Sequence, residues 1–471
     1  MKDILLNLKS PFLTFQLEDK YFLYDGDKGF LMEISHIIYD ILNCLHQYDF
    51  NQDSSCKAFM QELTEKYNEK EVGEALHNLK YFSKRGFLKD KGTIYKFYKK
   101  EYKVEENKSF KGGLWLNISH DCNLKCSYCY GNGGDYGEVR ALMTKEVAKK
   151  CIDYWFKKIN KNQKFFNVAF FGGEPLINQP VLFFAVEYIN NLMNSINAEA
   201  RYTITTNGTI MNNKIIKLLK DNKFEFMLSI DGLEEIHNRN RPYASGEDSF
   251  KSILANIEIL KKNFDNLMAN MVVTKKSIPF LKKSVEKLWS IGINYVNISL
   301  CCDKNEKYEY EDFEIWHKQI HELSEITYNN IINGKKYGVL NLIESMENIN
   351  NRKVEVTCSL FINGVFVFSS VGNIYRCYRY VGDEKYKIGN IDDKNINLLN
   401  YKSKKAKIEK CSNCWAQILC KDGCAYEHEL FTGDINTPDE NWCNKTKIIQ
   451  KESLMLYARL ALNKSKNIKN A

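Results

Sequence analysis

The sequence lacks an apolar run near the length of about 18 residues that a membrane helix requires. It has only 6 prolines in 471 residues, and its 44% hydrophobic and 27% charged residues are typical of soluble globular proteins. The beginning, MKDILLNLKSPF, has one lysine followed at once by aspartate and a short, broken apolar patch, which does not make a signal peptide. We therefore expect a cytoplasmic protein without a membrane helix.

Charge of one sign is not in large excess either. The 67 basic and 59 acidic residues give a net charge of +8 and are spread along the whole chain. This mild excess is compatible with an acidic peptide or a nucleic acid as partner, but it favours a solvated lysine-rich surface.

Cysteine, in contrast, is abundant, with 15 residues. The cytosol keeps thiols reduced, so these cysteines are more naturally metal or cluster ligands, nucleophiles or buried thiols than disulfides.

The length of the chain favours two or three domains. Residues 1–90 contain three strand-like runs followed by three helical stretches, which predicts a small α+β domain. Residues 91–112 are rich in lysine and lose their periodicity, so we interpret them as a linker.

Residues 113–335 alternate six apolar runs with helical patterns. Apolar strands joined by helical crossovers indicate a parallel sheet covered by helices. The predicted fold class is therefore α/β, a partial (β/α)6 barrel with its active site at the carboxyl ends of the strands. Residues 336–471 lose this alternation, contain seven of the cysteines and end in a helical pattern at roughly 444–463.

Three cysteines lie in the stretch CNLKCSYC, here called the cysteine loop (residues 122–129), directly after the first barrel strand. A structural zinc site wants four ligands, whereas Cys122, Cys126 and Cys129 supply three. Three thiolates suit a four-iron cluster with one open iron. Buried free thiols, or a disulfide with one spare cysteine, are the alternatives.

With an aromatic residue just before its last cysteine, the loop resembles that of the radical S-adenosylmethionine (SAM) enzymes. FFGGEP, TTNG and SIDG, after the second, third and fourth strands, match further family segments, and so does Arg241. The resemblance implies that the GGEP segment meets the methionine amino group of SAM, that Arg241 pairs with its carboxylate and that Tyr128 lies against the adenine. The SAM-binding residues implied in this way are Tyr128, Gly172, Gly173, Glu174, Thr206, Asn207, Ser229, Asp231 and Arg241.

The C-terminal cysteines form a spaced series that is similar to the SPASM extension of peptide-modifying radical SAM enzymes, which carries two auxiliary iron–sulfur clusters. A zinc ribbon is the alternative. The resemblance implies an outer set, Cys411, Cys414, Cys420 and Cys443, and an inner set, Cys358, Cys377 and Cys424. Together with the cysteine loop these make three [4Fe–4S] clusters. Seven thiolates leave one position of the inner cluster open, unless Cys301 or Cys302 reaches it.

The N-terminal pattern resembles the winged-helix peptide chaperone of pyrroloquinoline quinone biosynthesis, which recurs as a precursor-peptide recognition element. This implies a leader peptide that adds a strand to the sheet edge. A DNA-binding winged helix would need a basic recognition helix, whereas HIIYDILNC is mostly apolar.

The resemblance covers nearly the whole chain. It implies a radical SAM oxidoreductase that matures a ribosomally synthesised peptide by forming thioether cross-links between a cysteine sulfur and a carbon, as in the sactipeptide and ranthipeptide group. An electron donor such as flavodoxin or ferredoxin is the second expected partner, with no nucleic acid and no membrane. The alternatives are a maturase that forms carbon–carbon cross-links and an anaerobic sulfatase-maturing, formylglycine-forming enzyme. A zinc-dependent DNA-binding regulator would be a different class.

Overall fold

The computed structural model describes residues 5, 8, 10–88, 112–351, 358–360, 364–394, 396 and 409–469. Apart from residue 112, the predicted linker lies outside them. Among the described helices, none is long and apolar enough to cross a membrane.

The N-terminal part is a three-stranded antiparallel sheet followed by three helices. The strands are β1 (Phe12–Leu17), β2 (Lys20–Asp25) and β3 (Phe30–Ile34), paired in that order. The helices are α1 (His36–Cys44), α2 (Asp53–Lys66) and α3 (Glu69–Lys84). Ser35 caps α1, and Asn68 and Glu71 form a capping box at the start of α3. These polar side chains satisfy N–H groups that have no partner within the helix and so fix where the helices begin.

Six parallel strands, hydrogen-bonded in chain order, form the centre of the molecule and confirm the predicted α/β class. They are β4 (Gly113–Ser119), β5 (Phe165–Gly172), β6 (Glu199–Thr206), β7 (Glu225–Ser229), β8 (Met268–Val273) and β9 (Tyr295–Leu300). The helices between them are α4 (Lys145–Lys158), α5 (Gln179–Ser195), α6 (Asn213–Asp221), α7 (Glu234–Asn240), α8 (Phe250–Leu260) and α9 (Leu281–Ser290).

The sheet continues at both ends beyond the six predicted strands. β10 (Gly338–Val339) pairs with β9 in parallel, and β11 (Val365–Phe368) pairs with β4 in parallel. β12 (Asn373–Tyr375) and β13 (Gly389–Asn390) add two antiparallel strands outside β11. These four strands were not predicted, because runs this short do not show a regular alternation.

The remaining helices follow β9 along the chain. They are α10 (Tyr310–Ile332), α11 (Leu340–Asn351), α12 (Glu409–Ser412), α13 (Gln417–Cys420), α14 (Ala425–Thr432) and α15 (Glu440–Lys469). The last helix is longer than the predicted 444–463. The domain boundaries at 90, 112 and 335 stay predictions.

The barrel strands present one face to the helices and the other to the barrel interior. In β8, Ala269, Met271 and Val273 belong to the main hydrophobic core. The intervening Asn270 and Val272 point the other way and line a cavity. Because successive side chains of a strand alternate between its two faces, one short run both builds the core and supplies the wall of a site.

The N-terminal sheet packs on the C-terminal helix. Phe15, Phe22 and Tyr24, from β1 and β2, form a buried cluster with Leu454 and Ala458 of α15. Burial of these apolar side chains joins the two ends of the chain.

Candidate active site

A cavity of about 360 Å³ opens at the carboxyl ends of the barrel strands. Ten of the twelve residues that the sequence assigned to the first cluster and to SAM line this cavity: Cys122, Cys126, Tyr128, Cys129, Gly172, Gly173, Thr206, Asn207, Ser229 and Arg241. The other two, Glu174 and Asp231, are buried and are not among the lining residues.

The cysteine loop is held by backbone hydrogen bonds to residues 240–244, here called the clamp segment. The Ser127 N–H donates to the Asn240 carbonyl at 2.8 Å, and the Lys125 N–H donates to the Pro242 carbonyl at 2.9 Å. The two residues that flank the middle cysteine are therefore both bonded to the clamp segment. This arrangement holds the backbone of the loop in one conformation.

The two glycines after β5 are needed because the backbone beside the cysteine loop comes very close. A Cβ on Gly172 would lie 2.2 Å from the Ser119 carbonyl oxygen, and one on Gly173 would lie 2.3 Å from that of Asp121. Gly172 also has a φ of +138°, which side chains disfavour. In this structure the close neighbour that requires glycine is thus the chain itself.

The thiols of the cysteine loop fit a cluster better than a single ion. Among the described residues, no three His, Cys, Asp or Glu side chains are placed to hold one metal ion. Cys122, Cys126 and Cys129 instead surround a shared cavity. An iron–sulfur cluster binds its cysteines through different irons, so their sulfur atoms need not meet at one point.

Burial raises the pKa of the Cys122 thiol to about 12 and that of Cys126 to about 11. Because the thiolate is the metal ligand, binding of iron by these two residues has to release their protons.

The Glu174 carboxylate does not face the cavity but holds part of its wall. One of its oxygens accepts from the Leu176 N–H at 3.0 Å and the Thr206 hydroxyl at 2.7 Å, and the other accepts from the Asn207 N–H at 2.7 Å. Burial raises the pKa of Glu174 to about 7, although these hydrogen bonds act in the opposite direction. Thr206 and Asn207 line the cavity, so Glu174 fixes two of its wall residues.

The Asp231 carboxylate holds Arg241 in the way that the Glu174 carboxylate holds Thr206 and Asn207. The Arg241 Nε lies 3.1 Å from Asp231 Oδ1, and both side chains are almost fully buried. The Tyr128 hydroxyl donates to the other carboxylate oxygen, and the Arg241 guanidinium lies 5.2 Å from the Tyr128 ring centre. The ion pair lets a buried guanidinium keep its charge at the cavity wall.

Several wall residues were not predicted, although some of them had a signal in the sequence. Asn270 of β8 and Asn297 and Ser299 of β9 line the cavity, and the Asn297 amide donates to the Asn270 side-chain oxygen at 2.8 Å. Polar residues at every second position of an otherwise apolar strand indicate an inner face that is in contact with polar groups.

Two other wall residues, Tyr378 and Arg379, come from the C-terminal region, and no pattern in the sequence predicted that they line the cavity. Tyr378 stacks on Trp115 with 4.6 Å between ring centres, and Arg379 lies 5.3 Å from the Tyr130 ring centre. All four of these side chains line the cavity. Residues that follow β12 therefore complete a site whose other walls belong to the barrel.

The four cysteines of the outer set line a second, smaller cavity of about 50 Å³: Cys411, Cys414, Cys420 and Cys443. The Trp442 indole N–H donates to the Cys420 sulfur at 3.3 Å. The structure thus brings together the four cysteines that the resemblance grouped.

The three cysteines of the inner set lie near one another. Cys358 and Cys377 pack on a buried apolar cluster that includes Tyr380. Burial raises the pKa of Cys377 to about 12, and the nearby Cys424 and Cys358 thiols add to this rise. Cys302 lines the first cavity, and burial, Glu427 and Cys424 raise its pKa to about 12. Cys302 is therefore a neighbour of the inner set.

The sequence model described as the Radical SAM superfamily matches residues 116–279. An uncharacterized protein of Methanocaldococcus jannaschii is 30% identical over 294 residues, which are 62% of this chain and 93% of that protein. The cysteine-type anaerobic sulfatase-maturating enzyme of Clostridium perfringens (strain 13 / Type A) is 29% identical over 329 residues, which are 65% of this chain and 86% of that enzyme.

The radical SAM cyclopropyl synthase TigE of Paramaledivibacter caminithermalis is 25% identical over 477 aligned residues, which cover 93% of each chain. Among solved structures, native anSMEcpe with bound AdoMet (SAM) and Kp18Cys peptide has a TM-score of 0.61 at 25% identity and covers 75% of this chain and 99% of that one.

We expect Glu174→Gln to weaken both the fold and SAM binding. Above pH 7 the wild-type group is a carboxylate with three donors around it. An amide has one acceptor oxygen, so its NH2 group must face one of these donors, at a cost of about 1–3 kcal/mol. The loss of stability should appear as a lower midpoint of denaturant unfolding, and the loss of affinity should appear as a higher Kd for SAM. Glu187→Gln, the same change on an exposed part of α5, should alter neither quantity. A Glu174→Gln protein with wild-type values would contradict this role.

Proposed function

The chain belongs to the radical SAM superfamily, and we propose that this enzyme matures a ribosomally synthesised peptide by forming thioether cross-links. The observation that carries the proposal is the common cavity of the cysteine loop, the glycine segment after β5 and Arg241. Wall residues from the C-terminal region support a substrate larger than a small metabolite, because they place a second part of the chain beside the reacting centre.

Cys122, Cys126 and Cys129 would hold the first [4Fe–4S] cluster, and the wall from Gly172 to Arg241 would bind SAM. When bound, such a cluster would supply the one electron for the reductive cleavage of SAM, and this chemistry would remove a hydrogen atom from an unactivated carbon of the substrate. The chain's own part is to position the groups and exclude water. Arg241, kept charged by Asp231, supplies a cation for the SAM carboxylate.

Two auxiliary clusters complete the proposed set of three. The outer cysteines surround one small cavity, which supports a four-thiolate site. The inner set has three cysteines, so a substrate cysteine would bind at its open iron as thiolate, with its sulfur held near the first cavity. The proximity of Cys302 to Cys424 makes Cys302 the competing ligand for that position. An external donor such as flavodoxin or ferredoxin would reduce the clusters.

The N-terminal sheet is the proposed recognition site for the leader of the precursor peptide. β3 is one edge of the sheet, and no fourth strand pairs with it within the described ranges. An edge strand offers unpaired backbone N–H and C=O groups to an added strand. The anSMEcpe structure, which contains both SAM and a bound peptide, supports a peptide substrate for this fold.

Carbon–carbon bond formation is the second candidate, favoured by one observation. The match to the cyclopropyl synthase covers 93% of this chain, so it includes most of residues 1–90, whereas the sulfatase-maturating match covers 65%. An enzyme that oxidises a sulfatase residue is the third candidate, because that match covers a smaller part of this chain. A zinc-dependent regulator does not agree with membership of an enzyme superfamily.

The first cluster is tested by Cys126→Ala. Wild-type protein purified without oxygen should be brown and contain about 12 iron atoms per chain, and the variant should retain about 8, since only one four-iron site is lost. The variant should release no 5′-deoxyadenosine from SAM under reducing conditions. Cys44→Ala, at a half-buried cysteine of α1 with no assigned ligand role, should behave as wild type. Colourless wild-type protein with stoichiometric zinc would rule out these assignments.

Leader binding is tested by hydrogen exchange on the full-length chain. Because strand addition pairs free backbone N–H groups, the precursor should slow exchange in β3 (Phe30–Ile34) but not in β1 (Phe12–Leu17), the matched edge on the opposite side of the sheet. A core peptide without the leader is the control and should slow exchange at neither edge. Protection of β1 alone, or tight binding to duplex DNA without binding of the peptide, would argue against this site.

The type of cross-link is tested on the product. A thioether forms when the cysteine thiol loses its proton and the acceptor carbon loses one hydrogen atom to the SAM-derived radical, and the surplus electron would pass to the auxiliary clusters. Each cross-link should therefore lower the peptide mass by two hydrogen atoms and protect one cysteine from alkylation. The precursor should change the spectrum of the inner cluster, whereas a precursor with its core cysteines replaced by alanine should not. If the mass falls but every cysteine is still alkylated, carbon–carbon bond formation replaces the thioether assignment.

A further inference from the structure

His237, in α7, is a fully buried histidine that belongs to none of the matched motifs. Its Nδ1 lies 3.2 Å from the backbone nitrogen of Asp231, and its Nε2 lies 3.0 Å from the hydroxyl oxygen of Ser249. That hydroxyl lies 2.6 Å from the carbonyl oxygen of Arg241. The histidine thus links Asp231, which follows β7, to Ser249 and, through Ser249, to the backbone of Arg241, which follows α7.

The donor and the acceptor of each hydrogen bond follow from the two backbone groups at the ends of this series, the Asp231 N–H and the Arg241 carbonyl. A backbone N–H can only donate, so His237 Nδ1 accepts from Asp231. A carbonyl can only accept, so the single hydroxyl proton of Ser249 goes to Arg241, and the Ser249 oxygen must accept from His237. Nε2 therefore carries the proton, and the imidazole is neutral. Burial, with Arg241 nearby, lowers the pKa of His237 to about 4, which agrees with a neutral ring.

The ion pair between Arg241 Nε and Asp231 Oδ1 closes these contacts into a ring of four residues, here called the polar ring: Asp231, His237, Ser249 and Arg241. All four are buried. The ring contains Arg241 of the clamp segment, and the carbonyls of its two neighbours, Asn240 and Pro242, accept hydrogen bonds from the cysteine loop. One hydrogen-bonded structure therefore lies behind both the Arg241 guanidinium and the cysteine loop.

We propose that His237 and Ser249 are positioning residues for SAM binding. They hold the backbone at Arg241 so that its guanidinium stays at the cavity wall while the clamp segment stays paired with the cysteine loop. Neither residue is among those that line the cavity, so they act through Arg241 and not by contact with a ligand. The inference rests on the proposed assignment of this cavity to SAM.

The simpler alternative is that His237 only fills the core beside Phe250, with 5.5 Å between ring centres. A residue that only fills space can be replaced by an apolar residue of similar size, whereas a positioning residue needs one acceptor and one donor. Gln at position 237 offers an acceptor and a donor, and Leu offers neither. The two variants therefore separate the hydrogen bonds from the packing.

The test measures the Kd for SAM of reduced, iron-loaded full-length protein by the change in its EPR signal, together with iron content and unfolding midpoint. Ser249→Ala removes the hydroxyl, and SAM should bind about tenfold more weakly at wild-type iron content, which corresponds to the loss of one buried hydrogen bond. Ser252→Ala, the same change on α8 outside the polar ring, should bind SAM as wild type does.

His237→Gln should bind SAM nearly as well as wild type, and His237→Leu should bind it at least about tenfold more weakly. Equal affinity of these two variants, or wild-type affinity of Ser249→Ala, would overturn the proposal. If Ser249→Ala does not fold, the comparison of Gln with Leu at position 237 decides. Wild-type protein that binds no SAM would instead refute the assignment of the cavity, which is a failure of the proposed function and not of the polar ring.

Discussion

The backbone pairing of the cysteine loop is the constraint on which the candidate active site depends. Fixing one residue in a single conformation loses about 1–2 kcal/mol of conformational entropy, and the loop has eight residues without regular secondary structure of their own. Two neighbouring segments compensate for this loss. The clamp segment accepts hydrogen bonds on one side, and on the other the Gly173 and Glu174 N–H groups donate to the Ser119 and Asp121 carbonyls just before the loop. The glycines are required here because only a chain without Cβ atoms can come this close.

Two buried carboxylates extend this constraint to the rest of the cavity wall. Glu174 holds Thr206 and Asn207, and Asp231 holds Arg241. A carboxylate in the interior is stable only when donors surround it, so it orders the groups that donate to it. Three donors already occupy most of the acceptor sites of the Glu174 carboxylate, so it has little capacity left to bind a ligand directly. The wall residues that do face the cavity are thereby held in place before any ligand arrives, which lowers the entropy loss on binding.

The sequence predicted the six barrel strands through their apolar runs, which act over a few residues. It predicted the grouping of the outer cysteines and ten of the lining residues through the resemblance of their motifs to known families, and the barrel motifs follow parallel strands whose carboxyl ends meet at one edge. It did not predict that Glu174 and Asp231 turn away from the cavity, because a motif fixes the position of a side chain along the chain but not its hydrogen-bond partners. Tyr378 and Arg379 were missed for a different reason. They reach the cavity through β11 and β12, and pairing between segments that are about 250 residues apart leaves no local pattern.

In the proposed function, long-range contacts of the C-terminal region join peptide recognition to the reacting centre. The C-terminal region supplies Arg379 to the cavity, and it also contacts the N-terminal sheet, where Tyr24 meets Trp415 edge-on at 6.3 Å and packs on Leu454 of α15. Trp415 directly follows Cys414 of the outer set. A peptide held at β3 would therefore be attached to the part of the chain that completes the cavity. Attachment converts the second binding event into an intramolecular one and raises the effective concentration of the remaining peptide at the cavity. The N-terminal sheet would then determine which peptide reacts, while the cavity itself needs only a weak preference for the residue that loses its hydrogen.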